Sequence, residues 1–426
     1  MTDVRPFRGL RFNHHLVSQL ADVLCPPFDV ISPQEQRLLY ERSPFNAVRL
    51  ELGETSPSDS PSDNRYTRAA ATLSDWLSRG VLLQEPSPAF YLYEQDFEHE
   101  GHPLTRRALF ARVRLHQWSE GKVLPHERTL GGPKEDRLRL LRAARVNVSP
   151  ILALHRDSAR LREVFGALER PTIETEDAAG QRHHLHVRQD ASAIGLITEA
   201  FRDASVYVID GHHRYETALA YREERREQSS RWSGDEPENF VLMAVVALDD
   251  PGLVVLPSHR LLRTPPPPRF LDRLAETFRL RDVGDWDEMR AALAKTDREE
   301  ISFGVATAER RVIAVIDTNS AARLMPSETP RLWRSLDAAV LRELVLKRLL
   351  GIDEERAASE QSVEFTHNGA EALRLVESGG YGLAFLLSAV PPEKVIEIAD
   401  AGERMPQKTT YFYPKIPAGL VLNPLF

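Results

Sequence analysis

The stretch VYVIDGHHRYETALAYREER, residues 206–225, constrains this chain more than any other. Val206, Val208 and Ile209 favour a buried strand, because β-branched side chains suit a pleated surface. Asp210 and Gly211 break it. Tyr215, Ala218 and Leu219 then recur at helical spacing beside a charged face. The pattern predicts a strand running straight into a helix, with Asp210 as N-cap accepting from orphan N–H groups of the first turn. His212, His213 and Arg214 fall on that turn. There the N–H groups and the positive end of the helix dipole favour an anion, and an arginine adds a bidentate grip on phosphate. The plainer alternative is a capped helix whose histidines are ordinary turn residues.

A second chemical stretch, VLPHERTLGGPKEDRLRLLRAARVNVSPIL, spans 123–152. Gly131-Gly132 predicts a flexible turn, and Pro133 the N1 position of a helix burying Leu138 and Leu141. His126 and Glu127 precede the turn. A carboxylate on a loop beside phosphate suits a general base or a Mg²⁺ ligand, and Lys134 suits phosphate neutralisation. The plainer alternative pairs Glu127 with Arg128 at the surface and leaves Glu135 and Asp136 complementing the helix dipole. Upstream, PPFDVIS at 26–32 predicts a strand edge, followed by a helix capped by Ser32 with Pro33 at N1. Asp29 is either a site carboxylate or a turn residue beside Phe28. Cys25, the single cysteine, reads as a packed core thiol.

Alternation on both sides of Gly101 predicts a hairpin over 89–115, and TIETED with HHLHVR predicts a second, turning at Gly180. Strand periodicity puts His184 and His186 on one face and His183 on the other, which favours a solvated face over a metal site. ENFVLMAVVALDD reads as a strand buried on both sides. LVVLPSHRLL reads as its neighbour, bringing His259 and Arg260 towards the site as additional candidates.

The proline run in TPPPPR, 264–269, marks a boundary, because such a run continues neither sheet nor helix. Two domains follow: 1–263, carrying the strand–helix motif with hairpin insertions, and 264–426, an α/β domain of alternating helices and strands. Within the last stretch, MPQKTTYFYPK, Tyr411 and Phe412 suit a strand packed on a core, whereas Lys408 and Lys415 are candidates to return to a shared cleft.

A hydrophobic fraction of 42% with 28% charged residues suits a globular protein, and a net charge of −8 argues against a generic nucleic-acid binder. The opening MTDVRPFRGLRFN has no apolar run after its basic residues, and no stretch approaches a membrane span, so a cytoplasmic protein is expected. Walker, Rossmann, HExxH and GxSxG strings are absent from the sequence.

The string DGHHR resembles the signature of the ParB/sulfiredoxin-like superfamily, and most closely that of its free serine kinases. DGHHRYETAL, PPFDVIS, PHERT, LPSHRLL and MPQKTTYFYPK together resemble a large bacterial and archaeal domain-of-unknown-function family placed in that superfamily. The resemblance implies an α+β protein: a ParB/sulfiredoxin-like mixed-sheet core with a C-terminal α/β domain. It implies nucleotide-dependent phosphoryl transfer to the hydroxyl of a small metabolite, serine first, with ATP or ADP and Mg²⁺. Asp210 would then shape the loop or help hold Mg²⁺. Gly211, His212, His213, Arg214, Lys134 and Lys408 would bind phosphates, and Glu127 would be the base. The rival is a nucleotide-binding regulatory switch, or an anion-binding protein without catalysis. A homo-oligomer is left open.

Overall fold

The computed structural model describes residues 2–127, 131–156, 158–166, 168, 170–202, 204–294, 299–353 and 363–426. Arg128, the expected surface partner of Glu127, lies outside the described residues. The chain divides into two compact units, 1–254 with 414–426, and 255–413. The division thus falls between Val254 and Val255, ahead of the proline run.

The first unit is built on a nine-stranded mixed sheet among the described residues. Its strands are β1 (Phe90–His99), β2 (His102–Arg114), β3 (Val123–Pro125), β4 (Ile151–His155), β5 (Ile173–Glu176), β6 (Arg182–Arg188), β7 (Val206–Asp210) and β8 (Phe240–Ala247), in the order β3-β7-β4-β8-β2-β1-β6-β5. Val4–Arg5 adds a short strand beside β2. Both expected hairpins form, with β1 antiparallel to β2 and β5 to β6. β8 is buried at every position, as its unbroken apolar run requires. One core cluster gathers Leu92, Leu109, Ala153, Val208 and Met243 from five strands with Tyr215 and Ala218 from the helix after β7.

Helices α1 (Pro33–Arg42), α2 (Arg65–Ser78), α3 (Gly131–Ala144), α4 (Ala191–Ala200) and α5 (His212–Glu227) precede or alternate with these strands along the chain. Ser32 caps α1 by accepting from the Glu35 N–H, with Pro33 in the first turn. Phe28–Val30, expected as a strand edge, is instead a single 3-10 turn. The glycine pair is not a turn either: α3 begins at Gly131. Asp136 does more than complement a dipole, since it pairs with Arg65 and Arg137 and accepts from the Tyr66 hydroxyl at 2.7 Å, tying α3 to α2. Cys25 is buried, and burial pushes its thiol well above the ordinary range.

The final segment belongs to this unit. Leu422 exchanges backbone hydrogen bonds with Leu10, Ala418 with Cys25, and Asn423–Pro424 pairs with Val146–Asn147. Arg112 Nε donates to the Asn423 side chain and Nη2 to the Pro424 carbonyl. These contacts fix where Lys415 lies.

The second unit holds a six-stranded sheet among the described residues: β9 (His259–Leu262), β10 (Arg279–Asp282), β11 (Glu300–Ala306), β12 (Arg311–Asp317), β13 (Glu364–Thr366) and β14 (Leu383–Leu386), ordered β10-β12-β11-β14-β9-β13. Every pairing is antiparallel, so the alternating helix and strand pattern does not build parallel crossovers here. The expected neighbour of β9 is β8. Its partners are instead β13 and β14, while β8 lies between β4 and β2. Phe412 is buried and Tyr411 stacks on His367 at 3.7 Å.

Leu109 is fully enclosed at the middle of β2. Leu109→Ala is therefore expected to lower the unfolding free energy by about 2–5 kcal/mol. Urea denaturation measures it, and a loss under about 1 kcal/mol would contradict the packing described.

Candidate functional site

The strand-to-helix junction forms as expected, but its cap differs. β7 ends at Asp210, Gly211 takes the N-cap position with φ +92°, and α5 starts at His212. Asp210 is not the cap because the register of β7 against β4 shifts between Val208 and Asp210. Such a bulge re-aims the residue after it. The Asp210 carboxylate is turned to two cations instead. Lys415 Nζ donates to Oδ1 at 3.0 Å, and Arg214 Nη2 donates to Oδ2 at 3.1 Å. Burial alone would raise its pKa, but Lys415, Arg214 and the hydrogen bond from Lys415 outweigh it and hold the carboxyl well below its ordinary range.

Arg214 also donates through Nη1 to the Pro150 carbonyl at 2.5 Å. Its guanidinium folds back over Gly211, where a Cβ would meet Nε at 2.9 Å. Two of its nitrogens are thus used within the protein. Nε is buried without a hydrogen-bond partner among the described residues, beside a cavity of about 50 Å³ lined in part by Glu51, Ser149, Asn147 and Thr217.

The second chemical stretch arrives next to this junction. β3 runs parallel to β7, with Val123 opposite Val206 and Pro125 opposite Val208, so the segments after them leave the sheet side by side. The His126 backbone N–H donates to His212 Nε2 at 3.3 Å, and the two rings lie 4.7 Å apart. His126 Nδ1 donates to the Val208 carbonyl at 2.9 Å, which leaves Nε2 as the unprotonated nitrogen of a neutral ring. That atom is 4.0 Å from the Glu127 carboxylate. Burial pushes the His126 pKa down to about 4, against the opposing pull of the Val208 carbonyl and the Asp210 charge.

His213 faces a mixed set of charges. Burial lowers its pKa, Glu216 and Asp29 oppose that, and Lys134 and Arg214 add to it. Lys134 forms an ion pair with Glu216. The first unit therefore brings together Asp29, His126, Glu127, Lys134, Asp210, Gly211, His212, His213, Arg214 and Lys415. Glu216 escapes the sequence reading, although it lies three residues beyond His213 on the same helix. His259, Arg260 and Lys408 belong to the second unit. There the Arg260 guanidinium and the Lys408 ammonium each lie 4.5 Å from the Phe365 ring centre, and Arg260 donates to the Lys408 carbonyl at 3.0 Å. His259 is buried, accepts from the Leu387 N–H at 3.0 Å, and has its pKa pushed down to about 3 by burial.

Among the described residues, no group of three or more His, Cys, Asp or Glu side chains is arranged to hold a metal ion. His184 and His186 do share a face. They sit on a cavity of about 320 Å³ with Glu94 and Asp96, each beside a carboxylate. His183 points away and bonds the Tyr93 hydroxyl at 2.7 Å. No helix is long and apolar enough to cross a membrane among the described residues.

Two measurements test this geometry. Gly211→Ala places a Cβ at positive φ against the Arg214 side chain, so it should destabilise the fold by about 1 kcal/mol or more. An unchanged melting temperature would contradict the junction. His126 binds fewer protons folded than unfolded between pH 6.5 and about 4. Stability should therefore fall as pH drops through that window, by roughly 3 kcal/mol from this residue. His126→Gln should flatten that part of the profile, and an identical pH dependence would show that the ring titrates normally.

Solved structures resemble the chain loosely. A conserved hypothetical protein from Pyrococcus furiosus is 14% identical, with 73% of this chain and 93% of that one covered at a TM-score of 0.35. A free serine kinase in complex with AMP is 15% identical, with 74% and 92% covered and a TM-score of 0.36. SbnI with C-terminal truncation from Staphylococcus aureus is 12% identical, with 74% and 87% covered and a TM-score of 0.37. No curated protein sequence matches. Residues 4–339 match the family described as "Protein of unknown function (DUF1015)", and the chain belongs to that family.

Proposed function

We propose that this protein is a nucleotide-dependent phosphotransferase acting on the hydroxyl of a small metabolite, with a free serine kinase-like activity as first choice. One observation carries the reading: the DGHHR junction and the segment with His126 and Glu127 leave adjacent parallel strands together, with Lys415 beside them. A helix start with several cations suits phosphate, and phosphoryl transfer asks mainly for positioning and charge neutralisation. The DGHHR string agrees with it, as does the ParB/sulfiredoxin-like core that its resemblance implies.

In this reading Gly211, His212, His213, Arg214 and Lys134 hold the phosphates of ATP or ADP, and Glu127 takes the proton of the acceptor hydroxyl. Asp29 is the alternative carboxylate. Asp210 positions Lys415 and Arg214. Both of its oxygens face those cations, which does not fit a Mg²⁺ ligand, so no step is assigned to the metal through Asp210. The partners are small molecules of the cytoplasm rather than membranes or nucleic acid.

A regulatory switch is favoured by one specific feature. Asp210 already pairs with both Lys415 and Arg214, so an arriving phosphate would rearrange an existing ion cluster, as switch elements do.

Purified protein with Mg²⁺, ATP or ADP and a pool of hydroxyl metabolites should yield a new phosphorylated species by mass spectrometry. Glu127→Gln should keep nucleotide binding within a few-fold and lower transfer by about 10²–10⁴. Intact transfer in that variant would exclude Glu127 as base and move the test to Asp29. Binding without any product would favour the switch.

A further inference from the structure

Arg106 lies on β2 directly opposite Gln95 of β1. Its side chain is completely enclosed, at 0% exposure. Nη2 donates to Gln95 Oε1 at 2.5 Å, but Nε and Nη1 have no hydrogen-bond partner among the described residues. No carboxylate forms an ion pair with it among the described residues. Arginine does not shed its proton in proteins, so a full charge sits in the interior with two of its donor nitrogens unmet. Buried polar groups are normally satisfied, and an exception needs an explanation such as a bound water, an ion or a ligand.

The surroundings say what kind of partner. Gln95 turns its amide to Gln181 at 2.8 Å and to the Lys415 carbonyl at 3.3 Å. One glutamine thus connects Arg106 to the residue whose ammonium holds Asp210. Asp250 is the other nearby acid, but its carboxylate accepts from the Gly252 and Arg107 N–H groups instead. Burial raises the Asp250 pKa to about 6, which still leaves it mostly ionised at neutral pH. Arg106, Lys415 and Arg214 are three cations, and Asp210 and Asp250 are the two carboxylates that act on Arg106. The surplus is positive and lies beside the helix start.

We propose that Arg106 is the buried arm of an oxyanion site linked to the Asp210–Lys415–Arg214 cluster, taking a phosphate group of a nucleotide or phosphorylated metabolite. Phosphate matches the surplus in charge and offers several acceptors to the two unmet nitrogens. The turn at Asp250–Gly252 packs on the Arg106 backbone so closely that a Cβ at Gly252 would come within 2.4 Å of it. The inference rests on the phosphotransferase reading only for the source of the phosphate.

The test uses the full chain and measures binding of inorganic phosphate and of AMP by calorimetry and thermal shift, with acetate at matched ionic strength as control. Arg106→Met keeps the volume and removes the charge. Its affinity for phosphate should fall by about tenfold or more, while its ligand-free melting temperature should not drop, because an apolar group replaces an unpaired buried charge. Arg106→Lys, which keeps the charge and loses the planar fork, covers the case in which the methionine variant fails to fold, and it too should bind phosphate more weakly. Wild-type affinity in either folded variant would overturn the proposal, as would a wild-type protein that binds neither phosphate nor AMP. A variant that transfers phosphoryl groups with wild-type KM and kcat would overturn this inference and leave the phosphotransferase standing. Phosphate binding lost with Arg106 in a protein that phosphorylates nothing would do the reverse.

Discussion

The carboxylate of Asp210 is the contact on which the candidate site depends. It accepts from Lys415 on one oxygen and from Arg214 on the other. Taking three charges out of water is expensive, and their mutual attraction offsets that only when the geometry holds. Removing the carboxylate would leave two largely buried cations facing each other. The bulge in β7, the left-handed Gly211 and the stitched-down tail are the structural means of keeping this triad in place. His126 and His212 then add rings beside it, and the neutral His126 supplies hydrogen-bonding atoms without adding positive charge at neutral pH.

Features set by local chemistry were legible in the sequence. The strand over 206–209, which the structure extends to Asp210, and the helix after it follow from residue type and spacing within a short stretch. The two hairpins follow from alternation and a turn glycine, and alternation alone separates His183 from His184 and His186. The cap departs from expectation for a local reason of another kind. Asp is a good N-cap by type, but a register shift sends its side chain elsewhere, and bulges leave little trace in residue types.

Long-range pairing was not legible. The segment LVVLPSHRLL follows β8 closely, and consecutive strands usually neighbour each other, yet β9 pairs with the far downstream strands β13 and β14. The division of the chain falls before the proline run because that run follows β9 within the second unit, whatever its own stiffness. Arg106 shows a third kind of difficulty. Nothing in the string TRRA marks one arginine over the other, and the structure shows Arg107 reaching Glu94 while Arg106 is enclosed.

The return of residues 414–426 to the first unit has a consequence for how the protein is made. Asp210 emerges from the ribosome long before Lys415, with all of residues 255–413 synthesised in between. Domains generally fold as units during synthesis, but until the last stretch arrives Asp210 has only Arg214 of its two cations. Nascent or truncated chains that stop short of Lys415 would carry the DGHHR junction with Arg214 but without the second cation on Asp210. The Asp210–Lys415–Arg214 cluster is therefore complete only on chains translated through Lys415, which ties the assembly of the junction to a residue 205 positions downstream.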